Sequence, residues 1–172
     1  MIWAVGGVFL LVLLASVFLP GFKERLCAWR KPALLIVLSC ISVPLLVSFL
    51  KAVSGVYSPV DLSPYGGGEP HIGLLDQLWT FGRTAGGRSF PAGHASGGFA
   101  LVSLCYLPLR PALRKWLLFA GLVSGWLMGL YQMARGEHFF SHTVTTMFIS
   151  LAVITWLDGR ISPSGREIES SF

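Results

Sequence analysis

Five stretches of this chain contain no Asp, Glu, Lys or Arg and are dominated by apolar residues: Ile2 to Leu19, Ala33 to Leu50, Ala95 to Leu109, Trp116 to Met133 and Phe139 to Leu157. Runs approaching ~20 such residues match the thickness of a bilayer at helical rise. Within lipid, only helices and closed barrels satisfy every backbone polar group. The predicted fold is therefore all-α: a polytopic membrane helix bundle of about five transmembrane helices, with residues 1–172 forming a single integral membrane domain. The third run is short, with Gly97 and Gly98 near its start, and the fifth opens on polar residues, which places their first turns at the interface. No basic residue precedes the first run and no small-residue cleavage pattern follows it, so it is expected to stay in the membrane.

Composition supports this reading where it is most sensitive. Of 172 residues 53% are apolar and 12% charged, against roughly 25% charged in an ordinary soluble domain. A soluble fold, a disordered chain and a disulfide scaffold are excluded on that ground. Cys27, Cys40 and Cys105 show no CxxC spacing and are read as packing residues.

The few charges then sort by side. Lys23, Arg25, Arg30 and Lys31 lie between the first two runs, Arg110, Arg114 and Lys115 between the third and fourth, and Arg160 and Arg166 in the tail over residues 158–172. Short cytoplasmic loops collect Lys and Arg, so this side, tail included, is expected to be cytoplasmic. The outer side holds the loop over residues 51–93 and the turn before the fifth run. Lys51, Arg83, Arg88 and Arg135 lie there without a topological reason, together with His71, His94, His138 and His142. Ionisable groups at the mouths of spans are functional candidates by default.

Three outer segments carry that chemistry. Phe90-Pro91-Ala92-Gly93-His94 reads as a turn into the third helix, whose first free N–H groups would suit a phosphate. Arg135, His138 and His142 are spaced by three and four, one helical face, and an Arg with two imidazoles suits an oxyanion. The same HxxxH spacing, with Glu137 beside it, is also a zinc-ligand pattern. Lys51 ends the second run and is followed by Ser58-Pro59 and by Tyr65-Gly66-Gly67-Gly68; a lysine there also serves simply by reaching the interface.

In order and spacing these segments resemble the type 2 phosphatidic acid phosphatase superfamily, the membrane relatives of the vanadium-dependent haloperoxidases. Its signature runs Lys-x6-Arg-Pro, Pro-Ser-Gly-His and Ser-Arg-x5-His-x3-Asp. Here the blocks are Lys51 with Ser58-Pro59, Pro91-Ala92-Gly93-His94, and the segment containing His138 and His142. This chain departs from the pattern with Ser58 for Arg, Ala92 for Ser, His142 for Asp, and Gln132 where the last block has its Arg. Arg135, three residues later on nearly the same face, and Arg88 or Arg83 are the substitutes at hand. Members usually have six spans starting inside; five starting outside leaves a place for lipid, a partner or a second copy of the chain.

The resemblance implies a metal-independent lipid phosphatase of the bacterial inner (plasma) membrane, its site facing the periplasm or outside, with no cofactor and no nucleic-acid partner. His138 would be the nucleophile forming a phosphohistidine, His94 the acid and base, and His142 the group orienting His138 by a hydrogen bond. An alternative gives the nucleophilic role to His142. Lys51, Arg135, Arg88 and the N–H of Gly93 would bind phosphate, and the loop from Val60 to Gly87, with Tyr65, Trp79 and Phe81, would select the lipid. Lipid phosphotransfer at the same site and a catalytically inactive protein of the same fold are the competing functions.

Overall fold

The computed structural model describes residues 2–18, 20–73, 75–76 and 86–162. Five α-helices are present among the described residues: α1 (Ile2–Phe18), α2 (Pro20–Ser54), α3 (Gly93–Ala100), α4 (Pro111–Ala134) and α5 (Phe140–Ile161). α3 continues as a 3-10 helix over Leu101–Tyr106, and two 3-10 turns, Pro59–Asp61 and Ser63–Tyr65, punctuate the loop after α2. The only β pairing among the described residues is two isolated bridges, Gly55 with Gly87 and Leu62 with Glu69. The all-α expectation holds.

The helix bounds differ from the sequence reading in two informative ways. Residues 20–32, expected as a loop between spans, are the first turns of a 35-residue α2 that runs through Pro32 and Pro44. Among the described residues three helices are long and apolar enough to cross a membrane, Ala28–Ser54, Pro111–Ala134 and Phe140–Ile161, with mean hydropathy of 2.6, 1.4 and 1.4. The run at Ala95 to Leu109 instead folds as eight α-helical residues and six of 3-10 helix, rising about 24 Å, short of the ~30 Å hydrocarbon layer. It is a core helix: Ala95, Ser96, Gly98, Phe99, Ala100, Leu101, Val102 and Ser103 are all buried.

The burial pattern is that of a bundle in lipid. On α2, Ile36, Cys40, Val43 and Val47 face inward at helical spacing, while Ile41, Leu45 and Phe49 are exposed. Phe119, Leu127, Phe148 and Trp156 are likewise exposed, whereas Ser39, Ser103, Thr143, Thr146 and Ser150 are buried. Without water to drive apolar groups inward, small and hydroxylated residues line helix contacts and large apolar ones meet the lipid. Ser42 and Ser150 return their hydroxyls to the carbonyls of Leu38 and Thr146, both at 2.7 Å.

α3 lies against α2, α4 and α5. Its approach to α4 depends on glycines: a Cβ at Gly98 would stand 2.4 Å from the Gly125 nitrogen, and one at Gly125 would strike the Phe99 ring. Gly121 and Gly129, one turn to either side, meet Val102 and Thr143 in the same manner. The seam draws the start of α3, the end of α4 and the start of α5 to one end of the bundle, where α2 also ends. At the opposite end Lys31, Tyr106 and Asp158 line one small cavity, and Arg114 Nε donates to the Cys105 carbonyl at 2.8 Å. The basic cluster and the histidines thus occupy opposite ends. Arg166, Arg83, Trp79 and Phe81 lie outside the described residues, as do the side chains of Lys23, Arg25 and Cys27.

Candidate active site

The end of the bundle that carries the histidines opens into a cavity of about 450 Å³ lined by Lys51, Arg88, His94, Gln132, Arg135 and His138, with Ser58, Val60, Asp61, Ser89 and Glu137 completing the wall. Four local structures place these groups.

Lys51 closes the last turn of α2. Its amine hangs over the start of α3, since a Cβ on Gly93 would have Lys51 Nζ at 3.9 Å. The cation and the free N–H groups of the first turn of α3 therefore face one volume.

Ala92, in the N-cap position of α3, is fully buried against Ala95 and Phe99. Its N–H donates to the His142 carbonyl at 3.4 Å and its carbonyl accepts from Thr146 Oγ1 at 3.2 Å. The turn carrying His94 is thus pinned to α5 by backbone, and an Ala serves there as packing.

α4 ends in a Schellman motif. Gly136 adopts φ +74°, the Glu137 N–H donates to the Gln132 carbonyl at 3.0 Å, and the Gly136 N–H donates to the Met133 carbonyl at 2.9 Å. The expected single helical face through Arg135, His138 and His142 is therefore not formed: α5 starts only at Phe140. Arg135 and His138 instead flank the left-handed Gly136, and both line the cavity. Arg135 also reaches Glu137 at 3.5 Å, with both side chains about half exposed.

The fourth structure is the loop over residues 55–61 and 86–89. Gly55 bridges Gly87, where any Cβ would collide with Val56 backbone, and the Val60 N–H donates to the Gly136 carbonyl at 3.0 Å. Ser58, standing where the resemblance has Arg, gives its hydroxyl and its N–H to the Asp61 carboxylate. Ser58 is hence engaged locally, and Arg88 is the described guanidinium on that wall. Asp61 adds an acidic group to a cationic cavity, which the sequence reading did not anticipate.

His142 departs furthest from expectation. It is fully buried, boxed by the rings of Phe90 at 5.2 Å and Phe139 at 5.4 Å, and it lines a second cavity with His71, Ile72 and Phe140 rather than the first. It does not bond His138; the ring centroids are 5.8 Å apart. The nitrogens converge on Ser89 instead: Ser89 Oγ is 3.0 Å from His138 Nδ1, 3.4 Å from His142 Nδ1, and donates to the Glu137 carbonyl at 2.5 Å. The spacing of four made the two rings neighbours, but a buried hydroxyl from the loop over residues 86–89 stands between them. Nothing in the linear pattern distinguishes Ser89 from other loop serines; only its place just before the Pro91-to-His94 turn hints at it.

His138 is 4% exposed. Burial first, then the nearby charge of Lys51 and the His94 ring, push its pKa down from 6.5 to about 4. It is therefore a neutral imidazole at neutral pH. With Nδ1 engaged by Ser89, Nε2 is the nitrogen left for the cavity. Among the described residues no three His, Cys, Asp or Glu side chains converge as a metal site. The HxxxH pair turns both Nδ1 atoms toward a hydroxyl.

The fold and the site define a helical membrane protein with a neutral imidazole inside a cationic pocket at one end of the bundle. Residues 32–158 match the PAP2 superfamily, and the chain belongs to that superfamily. Its members are generally phosphatases acting on phosphate esters, often of lipids. Neither a curated protein nor a solved structure matches the chain.

Proposed function

We propose that the protein hydrolyses a phosphate monoester or diphosphate on a lipid headgroup, at the extracytoplasmic face of a bacterial inner membrane, through a phosphohistidine on His138. The observation that carries this reading is the neutral, Ser89-engaged His138 in a cavity that also holds Lys51, Arg88, Arg135 and His94. Nε2 of His138 attacks phosphorus while the ester P–O bond breaks, and His94 gives its proton to the departing oxygen. His94 then takes a proton from water, whose oxygen attacks phosphorus as the P–N bond breaks, releasing inorganic phosphate and neutral His138. Lys51, Arg88, Arg135 and the N–H groups at Gly93 and His94 hold the equatorial oxygens.

The lipid assignment is supported by where the cavity opens. A position at headgroup depth is supported by the lysine-terminated end of α2 and the first turn of α5, with exposed Phe140 and Phe49 nearby in the chain. The outward direction is supported by the basic cluster at the opposite end.

The test is release of inorganic phosphate by the purified protein in detergent from a panel of lipid monophosphates and diphosphates. His138→Ala and His94→Ala are each expected to abolish release, and EDTA to leave it unchanged. Activity lost to EDTA, or retained by His138→Ala, would overturn the assignment. Phosphate appearing on a second lipid instead of in solution would mark transfer at the same site.

A further inference from the structure

We propose that Ser89 is the positioning residue of His138, a neutral hydroxyl that fixes the ring as its Nδ1–H tautomer and points Nε2 at phosphorus. The catalytic part of this inference rests on the function proposed above; the tautomer does not.

The argument is a proton inventory. A serine hydroxyl has one proton to donate and two lone pairs to accept with. The proton of Ser89 is committed to the Glu137 carbonyl, 2.5 Å away, which has none to give back. Every other contact of Ser89 Oγ must then be one it accepts. Its two neighbours are His138 Nδ1 at 3.0 Å and His142 Nδ1 at 3.4 Å, so both rings carry their proton on Nδ1. That leaves a lone pair on each Nε2. The lone pair of His138 belongs to a residue lining the cavity; that of His142 has no partner among the described residues.

The hydroxyl is itself held firmly. The Ser89 N–H donates to the Val56 carbonyl at 2.8 Å, and the accepting Glu137 carbonyl adjoins His138 in the Schellman turn. Both ends of the Ser89–His138 contact are thus fixed by backbone. Ser89 and His138 are both less than 5% exposed, at 3% and 4%, so water does not compete for the nitrogen. His142 cannot supply the same service, because its own Nδ1 proton points at the same oxygen from farther away.

A hydroxyl differs from a carboxylate in this position. It orients the ring without stabilising an imidazolium, so the nucleophile keeps its lone pair, and it cannot take the proton from Nδ1. Without it the ring can turn, or move its proton to Nε2 and lose the nucleophilic electron pair.

The experiment compares wild type, Ser89→Ala and Ser89→Thr as full-length proteins in detergent micelles. One readout is the imidazole 15N spectrum, with the His138 signals identified by their absence in His138→Gln. The other is kcat and KM for phosphate release. Wild type should show a protonated Nδ1 and bare Nε2 at His138. Ser89→Ala should lose that tautomer and about 10- to 100-fold in kcat, as for a reacting group displaced by about 1 Å, with KM within about twofold. Ser89→Thr should keep both. An Nε2–H tautomer in wild type, or an unchanged His138 spectrum in Ser89→Ala whatever its rate, would overturn the proposal. Wild type without activity on any lipid phosphate would instead sink the proposed function while the spectra still decided the role of Ser89.

Discussion

Gly98 of α3 and Gly125 of α4 meet backbone to backbone, so close that a Cβ on the first would stand 2.4 Å from the nitrogen of the second. This contact lets a helix too short to cross a bilayer sit in the centre of the bundle and carry His94 to the cavity. It joins the packing of the fold directly to the position of His94.

Gly98→Ala should therefore destabilise the protein by about 1–3 kcal/mol, the usual cost of forcing extra volume into a packed core. Gly7→Ala in α1 is the control: nothing lies within 4 Å of its missing Cβ, and helix propensity favours Ala by up to about 1 kcal/mol. Thermal unfolding in detergent should show a lower midpoint for the first and an equal or higher one for the second. Equal midpoints for both would show that the seam is not close-packed.

The low pKa of His138 sets a pH dependence. Its folded value is near 4 against 6.5 in an unfolded chain, so between those values the unfolded state binds more protons than the folded one. The stability this neutral ring represents is fully present above about pH 6.5 and is lost as pH falls toward 4. For activity, the proposed nucleophile His138 stays unprotonated down to the same region. The acidic limb of kcat/KM for phosphate release should fall near pH 4, and a limb at 6.5 would contradict a buried, neutral nucleophile. Lys51→Met should move the limb upward, because the lysine charge is one cause of the depression.

Asp61 opposes the cations it shares the cavity with. Asp61→Asn keeps an oxygen for the Ser58 N–H and removes a negative charge from an anion site. At an interaction on the order of 1 kcal/mol, KM for a lipid phosphate should fall about fivefold at low salt, with less change at high salt. A raised KM would mean that the carboxylate contacts the substrate favourably.

Sidedness is open to cysteine labelling, and the structure selects the position. Gly67 is unsuitable, since its Cβ would collide with Asp61 backbone, whereas Gly68 is exposed with nothing within 4 Å. Gly68→Cys should react with a membrane-impermeant maleimide in spheroplasts, above the background of the native cysteines. Labelling only after the inner face is opened would invert the orientation.

Much of the site was legible because its chemistry is written in rare letters. Against a chain with 12% charged residues, Lys51, Arg88, His94, Arg135 and His138 stand out singly, and all five line the same cavity. Helix class was equally plain, since uncharged runs of that length in a membrane have few alternatives to helix. Less legible were the ends. The Lys23 to Lys31 segment reads as a loop by charge yet is helical, because Lys and Arg are good helix formers and local charge alone does not break a helix.

Sequence by itself determined that this is a helical membrane protein with its imidazoles and spare cations at one end, because bilayer thickness and the cost of buried charge act on each segment separately. Tertiary structure alone decided that a serine 49 residues from His138 and 53 from His142 would hold both rings, that Ser58 would turn to Asp61, and that His142 would line a different cavity from His138. Those outcomes depend on glycine seams and a left-handed turn that bring distant segments within hydrogen-bond reach. Hydrogen bonds act over about 3 Å, and no spacing along one chain encodes a distance that only packing between helices creates.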